Sequence, residues 1–406
     1  MTSSRESHHA PRSVAAHAAA VEELLRPVVD RLSGHPETVP LSAARGRVLA
    51  ESVTAPLDLP PFDNSQMDGY AARSVDLPGT LRVGATIAAG HSDAALAPEP
   101  SPGTAAPIMT GAMLPAWADA VVPVEAAVPS RFLDEGEEIS LPAAPAGQFV
   151  RTRGSDVALG SGALEAGTVL GPSQIALLAA LGVARVSVRP LLRVALLSTG
   201  DELVPVGEPL PTGRIHDSNG PMLTAALREA GAGVVQAHTQ EDSPQGFRDA
   251  LARLDGVDLV ISTGGVSQGA FEVVKQGLSE GVDFVSVAMQ PGGPQALGTV
   301  RIAGADVPFL GFPGNPVSSL VSFEMFLRPL LAGTRPRIAL RLEGAADKPA
   351  GKHQVRRGRL NGDRVTLVGG PGSHLLHALA HSDCLVHLPV GLGHAPDGTE
   401  VEVWVL

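Results

Sequence analysis

The 406-residue chain has a single cysteine, Cys384, one tyrosine and two tryptophans. One thiol excludes an internal disulfide framework and fits a reducing compartment. Aromatics are 3% of the chain and hydrophobic residues 44%. Its cores must therefore be built from Ala, Val and Leu, which suits α/β layers better than aromatic-rich sandwiches. Positive charge is also scarce: 30 Lys and Arg stand against 42 Asp and Glu, for a formal charge of −12. General binding to nucleic acid or to an anionic membrane is thereby excluded. An anionic substrate would have to be held by backbone amides, a few Arg or Lys, or a divalent cation. Long apolar runs are missing too. The longest candidate, Ile175 to Val183, ends before Arg185 and falls short of the ~18 residues of a membrane span. Residues 1–15 are polar, carry His8, His9 and Pro11 and lack an apolar centre. They read as a disordered tail rather than a signal peptide, and the protein as cytoplasmic.

What remains is a chain long enough for roughly two to four domains. Val21, Leu24, Leu25 and Val28 recur at helical spacing, predicting an amphipathic helix from about Ala16 to Leu32. An elongated N-terminal domain is expected from 16–60 together with 146–190. Between them, 61–145 reads as a β-rich insertion of short strands broken by Gly and Pro. Residues 191–332 alternate strand and helix, beginning with the strand Arg193 to Leu197. That spacing predicts an α/β domain with a doubly wound, mostly parallel sheet. A helix there is expected to be capped by Asn219, with Pro221 in its first turn and Gly231 past its end. Another is expected from Phe271 to Ser279, and one from Val317 to Leu331. From 333 to 406 the pattern turns to alternation, as in Val401, Val403 and Val405, predicting a small β-barrel-like domain.

In an open parallel sheet, ligands bind beyond the carboxyl ends of the strands. Three loops leave strands at that edge: Ser198 to Glu202, Ser262 to Ser267, and Phe312 to Ser318. Their glycines, Gly200, Gly264, Gly265 and Gly314, let backbone approach a phosphate, and helix N-termini direct free N–H groups at it. Asp201 and Glu202 stand where phosphate should bind. Two carboxylates there repel an anion unless a cation intervenes, and Mg2+ takes one or two carboxylates together with phosphate oxygens. Asp217, Asp242 and Glu272 are candidates to join them, although each also suits a helix cap. Neither a Walker A motif nor a G-x-G-x-x-G fingerprint is present.

Two other patterns compete. Gly265 to Gly269 matches the G-x-S-x-G nucleophile elbow around Ser267, which would make the protein a serine hydrolase. No His-Gly-Gly oxyanion motif precedes it. His374, His377 and His381, placed on one helical face and followed by Cys384, have the look of a zinc site. No second thiol or acidic cluster accompanies them, and a surface or interface role is the plainer reading.

Several segments together resemble a known family. Phe62 to Ala71 is similar to the signature of molybdopterin molybdenumtransferases, including the E domain of gephyrin. So are Met109 to Ala112, Ala118 to Val122, Arg153 to Asp156, Leu197 to Leu203, Asp217 to Asn219, Gly264 to Ser267 and Pro313 to Ser318. The resemblance runs in order from about Val39 to Leu388. It implies an elongated homodimer of four-domain subunits, with each active-site cleft completed by the N-terminal part of the other subunit. It implies a Mg2+-dependent reaction in which molybdopterin-AMP and molybdate give molybdenum cofactor and AMP, with a molybdopterin adenylyltransferase as the upstream partner. By motif, Asp201, Glu202 and Glu272 would surround the metal and phosphates. Asp68, Thr110 and Asp156 would face the cleft from the other subunit. Thr199, Gly200, Ser218, Gly264, Gly265, Ser267, Pro313, Asn315, Pro316, Arg357 and Ser373 would line the ligand.

Three departures matter. Family members commonly carry Lys-Pro-Gly-Lys-Pro where this chain has Gln290 to Pro294, so both lysines are gone. Glu272 replaces an aspartate, and Ser155 a glutamate. Arg356, Arg357 and Lys275 are the candidates to supply the missing charge. The lost lysines also leave open a binding or scaffold paralogue without catalysis.

Overall fold

The computed structural model describes residues 10–90, 99–238, 243–265, 274, 277–278 and 281–406, with side chains left aside at 236–238. The chain forms two compact units, 37–188 and 1–36 with 189–406.

In the larger unit the first helix spans Val14–Ser33, capped by Ser13, whose hydroxyl accepts from the Ala16 amide at 3.1 Å. Its predicted stripe is the face that packs: Val21, Leu25 and Val28 are buried in a core with Leu223, Leu227 and Phe326. Ahead of it, the Arg12 amide donates to Ser286 and Arg12 bridges Val287 in parallel. The tail expected over 1–15 is thus corrected at its end, because strand-type hydrogen bonds tie Arg12 down.

The central sheet has six strands in the order Gly233–His238, Arg193–Ser198, Leu259–Thr263, Ala305–Phe312, Pro294–Ile302, Val282–Ser286. The first four run parallel and the last two pairings are antiparallel. The two inner parallel strands, Arg193–Ser198 beyond its first residue and Leu259–Thr263, read as unbroken buried runs, as when helices cover both faces. The Pro294–Ile302 strand, which the sequence hides behind Pro294 and Gly298, turns into its neighbour through Ala303 and Gly304. Both have positive φ, 47° and 85°, the geometry of a tight hairpin turn. Gly298 is needed there because a Cβ would fall 2.0 Å from the Gly281 carbonyl oxygen.

The helix Asn219–Glu229 starts where expected, but Asn219 is not its cap. Asp217 Oδ1 accepts from the Gly220 amide at 3.0 Å, while the Asn219 amide side chain donates to Gly314 at 2.7 Å. The helix predicted from Val317 to Leu331 is interrupted. Pro316–Ser322 is α-helical, Phe323–Leu327 is a π-helical turn and Arg328–Ala332 resumes. Pro329 explains the break, since it offers no amide to the preceding turn. The predicted helix Phe271–Ser279 lies mostly outside the described residues.

Beyond it, the strands Arg337–Glu343, His353–Asn361, Arg364–Leu367, Cys384–Leu388 and Glu400–Val405 close into a five-stranded barrel, because His353–Asn361 pairs with both Arg364–Leu367 and Cys384–Leu388. Val401 and Val403 point into it as the alternation predicts. Trp404 departs from that alternation: it is buried on the outside, in the core that holds Phe326, Leu297 and Leu385.

The smaller unit is β-rich. A five-stranded sheet runs Ala120–Pro123, Gly69–Ala72, Thr104–Ile108, Gly79–Val83, Glu138–Leu141. A second body joins Glu37–Pro40 to Arg185–Val188 and carries the helix Pro172–Ala180. Among the described residues, no helix is long and apolar enough to cross a membrane.

Candidate functional site

At the carboxyl ends of the parallel strands the three glycine loops meet backbone to backbone. Gly264, with φ +91°, lies against Thr199: a Cβ on it would stand 2.7 Å from the Thr199 carbonyl oxygen. A Cβ on Gly314 would be 3.4 Å from the Gly264 Cα. Gly200, φ +152°, is overlain by the Glu202 carboxylate, 2.7 Å from where a Cβ would sit. At Gly264 the close packing requires a residue without a side chain. The loops are laced together: Thr199 donates its amide to Thr263, Gly264 donates to Phe312, and the Ser319 hydroxyl holds the Pro313 carbonyl.

Around them is a cavity of about 730 Å3, within the size range of a small-molecule site. Of the predicted site residues it brings together Thr199, Gly200, Glu202, Ser218, Gly264, Gly265, Pro313, Asn315, Pro316 and Ser373. Gln290, at the first of the missing lysines, also lines it, as do Asp217, His216 and His374. Asp201 is exposed and is not among the lining residues. Ser267, Glu272, Asp242 and Lys275 lie outside the described residues.

Charge in this cavity is unusual for an anion site. Glu202 and Asp217 supply two carboxylates, and no Lys or Arg lines it among the described residues. Asp217 is 6% exposed and its Oδ2 has no hydrogen-bond partner among the described residues. Buried carboxylate oxygens are expected to be paired, so an orphan calls for a ligand. The Asn219 and Thr263 side-chain oxygens are left in the same state.

Arg357 does not reach the cavity. It is 1% exposed and its guanidinium donates to the Gly370 and Gly372 carbonyls, behind the wall formed by Pro371, Gly372 and Ser373. Arg356 likewise donates to Gly369 at 2.9 Å. Burial pushes both guanidinium pKa values down, and for Arg357 the charge of Arg356 adds to it. The structure thus places Arg357 behind the lining rather than in it, with Nη1 and Nη2 donating to loop carbonyls and Nε without a partner among the described residues.

Asp68, Thr110 and Asp156 belong to the smaller unit. Asp68 Oδ1 accepts from the Thr110 hydroxyl at 2.7 Å and its amide at 2.6 Å, and these bonds hold its pKa below the usual carboxylate value. Asp156 is exposed, its amide donating to Leu59. Much of the surrounding signature is structural. Arg153 ties Asp58 and Asp63 together, and Gly69 passes so close to Val122 that a Cβ would lie 2.1 Å from its carbonyl oxygen.

The histidine series does not form a metal centre. The helix is only Leu376–Ala380, so His374 lies outside it on the cavity wall while His377 and His381 stack at 4.3 Å. Cys384 is buried, which pushes its thiol up to about 12. No group of three His, Cys, Asp or Glu is arranged for a metal among the described residues.

Asp217, offered from the sequence as a possible further cation ligand, does line the cavity; what sequence reasoning missed is the placement of Gln290 there. Asp217 had a signal in the Asp217 to Asn219 motif. Gln290 had only the absence of lysine.

Comparison with known proteins agrees with this architecture. Residues 12–182 match the MoeA N-terminal region (domain I and II), 195–333 a probable molybdopterin binding domain, and 339–406 the MoeA C-terminal region (domain IV). Molybdopterin molybdenumtransferase 2 of Mycobacterium tuberculosis H37Rv is 42% identical over 97% of this chain and 100% of its own length. The molybdopterin molybdenumtransferase of Haemophilus influenzae is 36% identical, covering 90% of this chain and 93% of its own. A molybdopterin biosynthesis MoeA protein from Pyrococcus horikoshii superposes with a TM-score of 0.69 at 31% identity, covering 95% of this chain and 98% of that one. The chain belongs to the molybdopterin molybdenumtransferase family.

Proposed function

We propose that the protein inserts molybdate into adenylated molybdopterin, releasing molybdenum cofactor and AMP in a Mg2+-dependent reaction. The observation that carries this reading is the cavity at the strand ends, lined by glycine backbone, Glu202 and Asp217, whose Oδ2 has no partner among the described residues. The glycine loops fit a phosphate-bearing ligand, and the helix beginning at Asn219 adds its N-terminal dipole.

The donor set fits Mg2+, which takes few protein ligands, all oxygen, and completes its shell with substrate phosphate and water. Glu202 and Asp217 would hold it, with Asp201 and Glu272 as the further candidates. When bound, the ion supplies charge neutralisation at the phosphate oxygens. The chain's own groups do the rest. The loops fix the nucleotide-bearing ligand at the sheet edge, and the Pro371 to His374 wall, braced by Arg357, covers it. Cleavage of the phosphoanhydride by water needs no protein nucleophile, so Ser267 has no role as one.

A homodimer in which Asp68, Thr110 and Asp156 face the cleft of the other subunit, as the family resemblance implies, belongs to the proposal. Asp68 is a surface carboxylate locked in one orientation by Thr110. A cytoplasmic setting and supply of substrate by a molybdopterin adenylyltransferase complete the proposal.

The test is AMP release from molybdopterin-AMP with purified protein, molybdate and Mg2+. Release that requires both additions is expected. Binding of the ligand without release would favour a scaffold paralogue instead.

A further inference from the structure

The cavity asks how an acidic protein holds a dianion on a wall that has no lysine or arginine among the described residues. Gln290 lines that wall. Its side-chain oxygen accepts from Gln354 Nε2 at 2.8 Å, and Gln354 is 1% exposed. Gln354 Oε1 in turn accepts from Arg356 Nη1 at 3.5 Å, with Arg356 7% exposed.

The donors and acceptors of this relay favour one set of amide orientations. A guanidinium has donors only, so it must face the oxygen of Gln354. That turns the Gln354 NH2 toward Gln290, which must then offer its own oxygen. The Gln290 NH2 is what remains for the cavity. Amide flips are ordinarily ambiguous; here the 2.8 Å contact between Gln354 and Gln290 carries the assignment, and the donor-only guanidinium at 3.5 Å biases it the same way. The loop itself is pinned, since buried Gln295 donates to the Gly292 carbonyl and to the Ser322 hydroxyl, both at 2.7 Å.

We infer that Gln290 is an oxyanion-binding residue of this site, presenting its amide NH2 to the substrate dianion. Arg356 and Gln354 act as positioning residues that fix its orientation and polarise it. Recognition of the anion thus passes from a point charge on the wall to a neutral donor backed by a buried cation. Hydrogen bonds in such a chain strengthen one another in a low-dielectric setting. This inference rests on the proposal that an oxyanion, molybdate, enters the cavity.

Gln354→Glu provides the decisive variant. A carboxylate at 354 has no donor, so Gln290 must turn its NH2 toward it and expose its carbonyl oxygen to the cavity. Binding of molybdate to the full-length protein, read by calorimetry, is expected to weaken about tenfold in Gln354→Glu and in Gln290→Ala, the scale of one hydrogen bond. In the Gln290→Ala background, Gln354→Glu is expected to cost distinctly less than in the wild type, since only its added negative charge then acts on the anion, whereas general damage to the wall would cost the same in both. Unchanged affinity in Gln290→Ala, or an equal loss from Gln354→Glu with and without Gln290, overturns the inference; the Gln290→Ala arm stands even if Gln354→Glu does not fold. The transferase reading is decided separately, by whether the wild-type protein releases AMP. If the wild type binds no molybdate at all, the inference falls.

Discussion

Gly264 stands so close to Thr199 that a single methyl group on it would lie 2.7 Å from the Thr199 carbonyl oxygen. Its φ of +91° disfavours any side chain as well. Gly264→Ala is therefore expected to cost roughly 1–3 kcal/mol of stability through strain, and to separate two of the three loops. Urea unfolding would measure the first effect. A raised KM for the pterin substrate in the surviving folded protein would measure the second.

Glu202 folds over Gly200 at the cavity wall, where the proposed cation would sit. Glu202→Gln preserves the shape and removes the charge. Turnover is expected to fall by about a hundredfold or more, the scale of losing one electrostatic contact to the transition state. Tm should stay near the wild-type value, and raising Mg2+ should recover part of the rate.

Arg357 braces the loop that carries Ser373 by donating to Gly370 and Gly372. Arg357→Met keeps much of the buried volume and leaves those carbonyls unsatisfied. A loss of about 1–3 kcal/mol is expected, with faster amide exchange across 369–374 in hydrogen-exchange measurements.

His17 is buried edge-on against Phe326, ring centroids 4.6 Å apart. Burial, with the charge of Arg12 second, lowers its pKa to about 4. Because the folded value lies below the unfolded one near 6.5, the unfolded chain takes the proton first. Stability is complete above pH 6.5 and falls as the pH drops through 4. His387, lowered to about 3, and His353 act in the same direction. Replacing His17 with Leu should remove about 3 kcal/mol of the acid-side decline, seen as a flatter dependence of the urea midpoint between pH 7 and 4.

Where a residue's job depends on its neighbours along the chain, the sequence displays it. The stripe of Val21, Leu25 and Val28 predicts its own buried face, and buried runs such as Leu259 to Thr263 predict a parallel sheet covered on both sides. The three glycine loops follow, because each leaves such a strand. Partnerships across long separations are hidden. Gln290 meets Gln354, 64 residues on, and no local pattern marks either one. Arg357 is expected at the ligand only because the resemblance implies it; its carbonyl partners are set by the fold of 370–372. Trp404 breaks the barrel alternation for a similar reason, since the outer face of its strand docks on the α/β core.

The most direct measurement is a crystal of the protein grown with molybdopterin-AMP and Mg2+. The expected result has the phosphates beside Gly264 and Gly265, with an ion between them and the Glu202 and Asp217 carboxylates. A ligand bound elsewhere, with both carboxylates turned from it and no ion between, would contradict the account.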